Sequence, residues 1–277
     1  MQNLRQGERM DKSFLNGRQL YGDNFSTSEL EKWYREEATA WADSGCIDSE
    51  TIVYQYHEMN RRYGWKYTTG RTFKKAMSLG GAFAEEFEPI IDLVDEIYVI
   101  EPAEKFYRNV VHGKPAFYQA PSITGTLPFE NETFDLITCF GVLHHIANVS
   151  YVFSELARVL EKGGLLLVRE PIISMGDWTR ERPALTKNER GIPLPVLQEL
   201  IAKNKLAILG FKLIGFAPLL ALGAKLKVDV WKNKFLLDMD ASLSTLTRFN
   251  YRYHREKFFQ KFGPTSAYIA LTSASVH

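Results

Sequence analysis

Two histidines, His144 and His145, stand side by side just past Gly141, which follows the apolar run Phe134–Phe140. An imidazole changes charge near neutral pH, so a histidine placed there suits removal of a proton from an acceptor hydroxyl or amine. Histidine also serves as a loop cap or a core hydrogen-bonder, and both readings stand at this stage. A lone carboxylate, Glu101, closes a second short run, 96–100, and Pro102 follows it. A carboxylate in that place can accept two hydrogen bonds from a diol such as that of ribose. The competing use is the first turn of a helix over 101–105, where acids are generally favoured. A third group, Arg169-Glu170-Pro171, ends the run Leu165–Val168, and a polar, non-periodic stretch follows over 172–195. Loops of that length at a ligand edge usually serve a function. Arg169 suits a carboxylate or phosphate, and Trp178 suits the apolar face of a ring. Arg169, Asp177 and Trp178 are therefore the acceptor-binding candidates. The alternative is a solvated loop whose Arg180, Arg182 and Arg190 pair with its own acids.

The elements that must position these groups are legible from period and punctuation. Phe134–Phe140 reads as a buried strand, bounded by the turn Glu130-Asn131-Glu132. Val149, Val152, Phe153, Leu156, Val159 and Leu160 then make one apolar helix face. Gly163-Gly164 closes that helix, and 165–168 is a strand covered on both faces, so the two strands form a parallel crossover. Further strands are predicted over 74–81, 96–100, 115–119, 206–216 and 266–272. Helices are predicted over 84–93 and 195–203, with helical segments rich in Phe and Tyr over 230–262. Near the start, an irregular arm precedes a helix capped by Thr27 or Ser28, with Glu31 at capping-box distance from Ser28, running to Asp43. A second helix is predicted over 49–63.

The order LPF, an acidic turn, FDLI, a loop with LHH, a helix ending in RVL, then KGG and an apolar strand closing on EP is a specific pattern. It resembles the class I S-adenosylmethionine-dependent methyltransferases, in the small-molecule branch often called type 11, over residues 74–171. The resemblance implies an α/β fold: a Rossmann-like seven-stranded sheet, mostly parallel with a final antiparallel strand. N-terminal helices and a helical insertion near the C-terminus complete it. Residues 1–73 would be an arm and helical cap, and 74–277 the methyltransferase domain. Loop 172–195 and segment 217–262 would decorate the acceptor side.

The resemblance also implies S-adenosyl-L-methionine as cofactor. Gly80, Gly81 and Ala82 would cradle it, Glu101 and Pro102 would meet the ribose, and the backbone at Phe140 and Gly141 would meet the methionine part. His145 or His144 would face the transferable methyl. Tyr34 or Trp33 of the N-terminal helix would close the pocket, or both rings would simply pack on the core. The chain departs from the family's pattern in the glycine loop, where an acid normally precedes G-x-G-x-G. Here Ser78 replaces the acid, Gly80 is kept, and Ala82 and Ala84 replace the later glycines. A methyl is tolerated there in α or β backbone and disfavoured at positive φ. The loop is accordingly adapted, weakened or retired. No carboxylate lies in 119–125 to meet the adenine, which leaves Gln119, Ser122 or Thr124.

Composition narrows the classes. A chain of 277 residues suits one α/β domain with appendages. A net charge of +1, without a dense block of Lys or Arg, argues against a nucleic-acid partner. Cys46 and Cys139 lie far apart, so neither a disulfide framework nor a metal site is expected from them. The first residues lack the apolar core of a signal peptide, which points to a cytoplasmic setting. Leu206–Ala224 is apolar but broken by Lys212 and Pro218, with lysines at both ends. It reads as a buried strand and a core-facing loop or helix, with weak contact at a membrane surface as the second option and a span as the least favoured. The expected activity is methyl transfer, at oxygen, to a small-molecule or sugar-containing acceptor. The alternative is a methyltransferase-like binding or scaffold protein with a retired site. A nicotinamide oxidoreductase is disfavoured, because the third glycine of its phosphate turn is missing.

Overall fold

Apolar runs that need cover on both faces become the middle of one sheet. The computed structural model describes residues 12–43, 53–176, 182 and 185–273. Its strands are β1 (Phe73–Leu79), β2 (Val94–Ile100), β3 (Val110–Val111), β4 (Lys114–Gln119), β5 (Phe134–Phe140), β6 (Leu160–Pro171), β7 (Leu206–Ile214) and β8 (Ser266–Ser273). They lie in the order β3-β4-β2-β1-β5-β6-β8-β7. β4, β2, β1, β5 and β6 pair in parallel, whereas β8 runs antiparallel to both β6 and β7. The sheet is the expected Rossmann-like one with an antiparallel β8. An eighth strand, β3, comes from a short hairpin with β4 that the sequence reading did not separate.

The helices are α1 (Thr27–Asp43), α2 (His57–Tyr63), α3 (Val149–Val159), α4 (Leu194–Lys203), α5 (Ala217–Leu226) and α6 (Lys234–Leu246). Alternation along β6 sends Leu166 and Val168 into a core with α3 and α4, and Leu165 and Leu167 into a core with Trp65, Phe73 and Phe87. The face of α3 (Val149, Val152, Phe153, Leu156, Val159) is buried. Removing those side chains from water contributes on the order of 10 kcal/mol before entropy is counted.

Several boundaries differ from expectation for identifiable reasons. The predicted helix over 84–93 is a 3-10 helix, Glu85–Leu93, with Pro89 inside it. Proline lacks the N–H that an α-helix would use there and crowds the preceding turn. α3 ends at Val159 and passes straight into β6, so Gly163 (φ +73°) lies within the strand rather than at the helix end. The cap of α1 is one frame earlier than predicted: the Ser26 amide and hydroxyl both donate to Glu29 Oε2, at 2.8 and 2.6 Å. Of the second N-terminal helix expected over 49–63, residues 49–52 lie outside the described residues, 53–56 are not helical, and α2 begins at His57. The apolar stretch 206–224 divides between β7 and α5, and no helix among the described residues is long and apolar enough to cross a membrane.

At the end of β7 the chain turns at Gly215 (φ +80°). Asp240 of α6 is fully buried and accepts the Gly215 and Phe216 amides, both at 2.7 Å. This carboxylate ties α6 to the sheet. Asp240→Ala strands one buried and one part-buried N–H group, so urea unfolding is expected to show a loss of about 2–3 kcal/mol.

Candidate active site

The carboxyl ends of β1, β2 and β5 open onto one cavity, which α1 covers. Open α/β sheets bind ligands at this edge. Leu79 and Gly80 line it from β1, Ile100, Glu101 and Pro102 from β2, and Gly141, Val142 and His145 from the loop after β5. Leu30, Trp33, Tyr34 and Glu37 line it from α1, at the 3-4-7 spacing of one helix face. The loop after β4 adds Pro121, Ser122 and Ile123. Of the three adenine candidates, Ser122 is in the lining, and Gln119 and Thr124 are not.

The glycine loop holds its shape by close contact. Gly80 has φ +66°, and a Cβ there would lie 2.7 Å from Val142 Cγ2. A Cβ on Gly81 would lie 1.9 Å from Ser78 Oγ. Ala82 and Ala84 take φ +47° and +55°, the conformation that disfavours alanine. A turn bond from the Ala84 amide to Gly81 O, 2.7 Å, closes this segment. The carboxylate absent at residue 78 is supplied from the following element. Glu86 is buried and accepts hydrogen bonds from the Ser78 hydroxyl and, at 2.9 Å, from Thr138 Oγ1. Burial raises its pKa, and the two hydroxyls offset that only in part.

Glu101 is buried at the cavity wall. Its oxygens accept the Ala82 amide at 3.2 Å and the Ala103 amide at 3.0 Å. A carboxylate oxygen can accept more than one hydrogen bond, and Glu101 lines the cavity where a diol would meet it. Burial, together with the charge of Glu101, raises the pKa of Tyr34. Trp33 is buried, packs on Tyr21 and Phe25, and donates its Nε1–H to His145 O at 2.7 Å.

The two histidines occupy different environments. His145 lines the cavity, and its Nδ1 lies 2.9 Å from Glu37 Oε2. An ionised carboxylate only accepts, so Nδ1 carries the proton and the basic lone pair of the neutral ring is on Nε2. Glu37 is itself fixed by the Thr186 hydroxyl (2.7 Å) and the Asn188 amide (3.1 Å). His144 is buried and lies outside the lining, with Nδ1 2.8 Å from Glu170 and Nε2 3.3 Å from Glu189. Burial would lower its pKa, but the two carboxylates more than reverse this and raise it to about 9. His144 is thus an internal cation at neutral pH. One ligand atom each of His144, His145 and Glu189 lie within 4.8 Å of one another. A metal ion there would have to displace the proton that His144 holds between two carboxylates.

The loop carrying both histidines is clamped from two sides. Glu170, buried at the end of β6, accepts the amides of Val142, Leu143 and His144 at 2.8, 2.9 and 3.3 Å. Arg190 is fully buried and donates to the carbonyls of Tyr21, His144, Ile146 and Ala147 at 2.8–3.2 Å. Burial lowers its pKa to about 10, which leaves it charged at neutral pH. Arg190 is therefore a brace for the loop and not a surface cation awaiting an anionic acceptor.

Phe140 faces away from the cavity, against Tyr268 and Trp65. The Arg169 guanidinium sits 3.6 Å over the Tyr56 ring, and its Nη1 is buried with no hydrogen-bond partner among the described residues. It lies beside Gly141, since a Cβ there would be 3.7 Å from Arg169 Nη2. Asp177 and Trp178 are outside the described residues.

Residues 78–168 match the family model described as a methyltransferase domain. The match runs from the end of β1 into β6, the span over which the sequence pattern resembles the class I S-adenosylmethionine-dependent methyltransferases. None of the curated proteins matches the chain in sequence. Among solved structures, a SAM-dependent methyltransferase of Leishmania major aligns with TM-score 0.57 at 11% identity, over 90% of this chain and 87% of that one. The Burkholderia thailandensis 1,6-didemethyltoxoflavin-N1-methyltransferase, solved with 1,6-didemethyltoxoflavin and S-adenosylhomocysteine, gives 0.53 at 10% identity over 91% and 92%. The [4+2]-cyclase SpnF gives 0.55 at 13% identity over 94% and 99%. At these identities the likeness is one of fold.

Two predictions come from the methyltransferase site. Ala84→Gly releases about 1–2 kcal/mol of left-handed strain and loses about 0.8 for the buried methyl and 0.5–1 in chain entropy. Urea unfolding should therefore find it within about 1 kcal/mol of wild type, whereas the β-branched Ala84→Val should fall well below. The proton on His144 adds stability that is complete below its unfolded pKa near 6.5 and is lost as pH rises through about 9. Denaturant titrations from pH 6 to 10 should show a decline on the order of 2–3 kcal/mol. His144→Gln should flatten that slope.

Proposed function

We propose that the chain transfers the methyl group of S-adenosylmethionine to an oxygen of a small-molecule or sugar-containing acceptor, with His145 taking the acceptor's proton. The observation that carries this reading is a single cavity lined by Glu101 on one side of β1 and by His145 on the other. When bound, the cofactor supplies an electrophilic methyl on a sulfonium. Glu101 accepts the ribose hydroxyls, and Gly80 and Gly141, lacking side chains, allow approach to the backbone. Tyr34 covers the bound group from α1. Glu37 holds the His145 ring with its lone pair on Nε2, the atom that receives a proton. Aligning acceptor and methyl donor supplies much of the rate in such a reaction, and a base adds to it. Arg169 is the anchor for an anionic group entering past Gly141, and Asp177 and Trp178 are the further acceptor-side candidates.

A binding or scaffold protein with a retired site is the second reading, favoured by the left-handed Ala82 and Ala84. Calorimetric titration with S-adenosylmethionine and S-adenosylhomocysteine separates the two. Micromolar binding, about −8 kcal/mol, is expected, weakened about tenfold or more in Glu101→Ala. His145→Asn should keep that affinity while slowing methylation of sugar and phenol acceptors by about 100-fold or more. Folded protein that binds neither ligand would sink the enzyme reading.

A further inference from the structure

Residues 246–262 carry a concentration of apolar side chains that the fold leaves in solvent. Phe249 is 79% exposed and Phe258 74%, and Leu246, Phe259 and Phe262 are exposed with them. They lie close together. Asn250 Nδ2 donates to Phe259 O at 2.7 Å and to Phe262 O at 2.8 Å, and the Phe258 and Phe262 rings are 5.5 Å apart. Phe262 also approaches Phe216, at the start of α5, with ring centroids 6.4 Å apart. None of these side chains lines the cavity.

Charge decides what could cover them. The same segment exposes Arg248, Arg252, Lys257 and Lys261 against one acid, Glu256, in a chain whose net charge is only +1, while Arg255 is half-buried and donates to Pro264 O. α5 extends the pattern, with Leu222 and Leu226 exposed and Lys225 and Lys227 at its end. A two-fold contact with a second copy would set this positive surface against itself, which disfavours it. Aromatic rings interleaved with cations match a bilayer interface, where the rings enter the headgroup region and the cations meet anionic lipid.

We propose that this surface docks the enzyme on an anionic lipid bilayer. The intervening chain lies along the loop after β6: Tyr251 Oη donates to Ile172 O at 2.7 Å, and the Ser174 amide donates to Tyr253 O at 2.8 Å. A bilayer on the patch therefore lies beside the acceptor-side loop.

The test is sedimentation of the full-length protein with phosphatidylcholine vesicles, with and without phosphatidylglycerol. Binding should require phosphatidylglycerol and fall with added salt. The triple variant Phe249→Ser/Phe258→Ser/Phe259→Ser should weaken it by about tenfold or more. Its melting temperature and S-adenosylhomocysteine affinity should match wild type, which separates this result from failure of the methyltransferase reading. Val110→Ser/Phe117→Ser, exposed apolar sites at the other edge of the sheet, should bind vesicles as wild type does. The proposal is overturned if wild type stays in the supernatant with anionic vesicles, or if the triple variant binds as well. It is also overturned if wild type self-associates and the triple variant does not, since a second copy would then cover the patch.

Discussion

A loop that leaves a sheet and stays buried must find partners for every amide and carbonyl it takes with it. The segment after β5 meets that constraint with two buried charges of opposite sign. Glu170 collects the donors of Val142, Leu143 and His144, and Arg190 collects the acceptors of His144, Ile146 and Ala147. Neither charge depends on the other as a direct partner. Arg190 is solvated by backbone carbonyls and Glu170 by three amides together with the His144 cation, which repay a desolvation of several kcal/mol that an isolated ion would not survive. The cavity wall at Gly141 and His145 is shaped by this loop, and the histidine pair takes its geometry from the same hydrogen bonds.

The glycine loop follows a similar logic. The acid that usually precedes it is missing, yet a buried carboxylate still meets Ser78 and Thr138 from Glu86 on the next element. A hydroxyl at residue 78 is short enough to admit that side chain. Gly81, whose added Cβ would meet Ser78 Oγ, leaves room for the pair. Ser78 and Gly81 are therefore coupled through that contact. The left-handed alanines are not explained by this pairing. They are a strain of about 1–2 kcal/mol each that the surrounding packing holds in place.

Much of the fold was legible because it rests on local pattern. The strands around 134–140 and 165–168, the face of α3 and the alternating β8 are written in the period of their apolar residues. The place of Glu101 at the cavity was legible too, because it follows directly on the short run 96–100. What escaped was long-range. Glu37 reaches His145 across 108 residues, and Arg190 reaches Tyr21 across 169. No spacing rule connects such partners. One signal went unused: Leu30, Trp33, Tyr34 and Glu37 share a face of α1, so placing Tyr34 at the pocket already placed Glu37 there. Arg190 was misread as a loop cation for the opposite reason. Its charge is visible in sequence, and its burial is not.

The adjacent histidines show why residue type alone could not assign roles. His144 meets two carboxylates and no cavity, and the field of both keeps its proton through neutral pH. His145 meets one carboxylate, on Nδ1, and lines the cavity. A proton fixed on His144 serves architecture, since it binds β6 to the loop that carries Glu189. A proton that comes and goes must sit where a second molecule can reach it, and of the pair only His145 is so placed. The division follows from the partners rather than from distance: the two rings lie 4.2 Å apart, yet His144 is held between Glu170 and Glu189, whereas His145 meets Glu37 of α1 at the cavity wall. Two identical side chains thereby become a structural cation and a candidate base, separated by environment in the same way that neighbouring carboxylates can be.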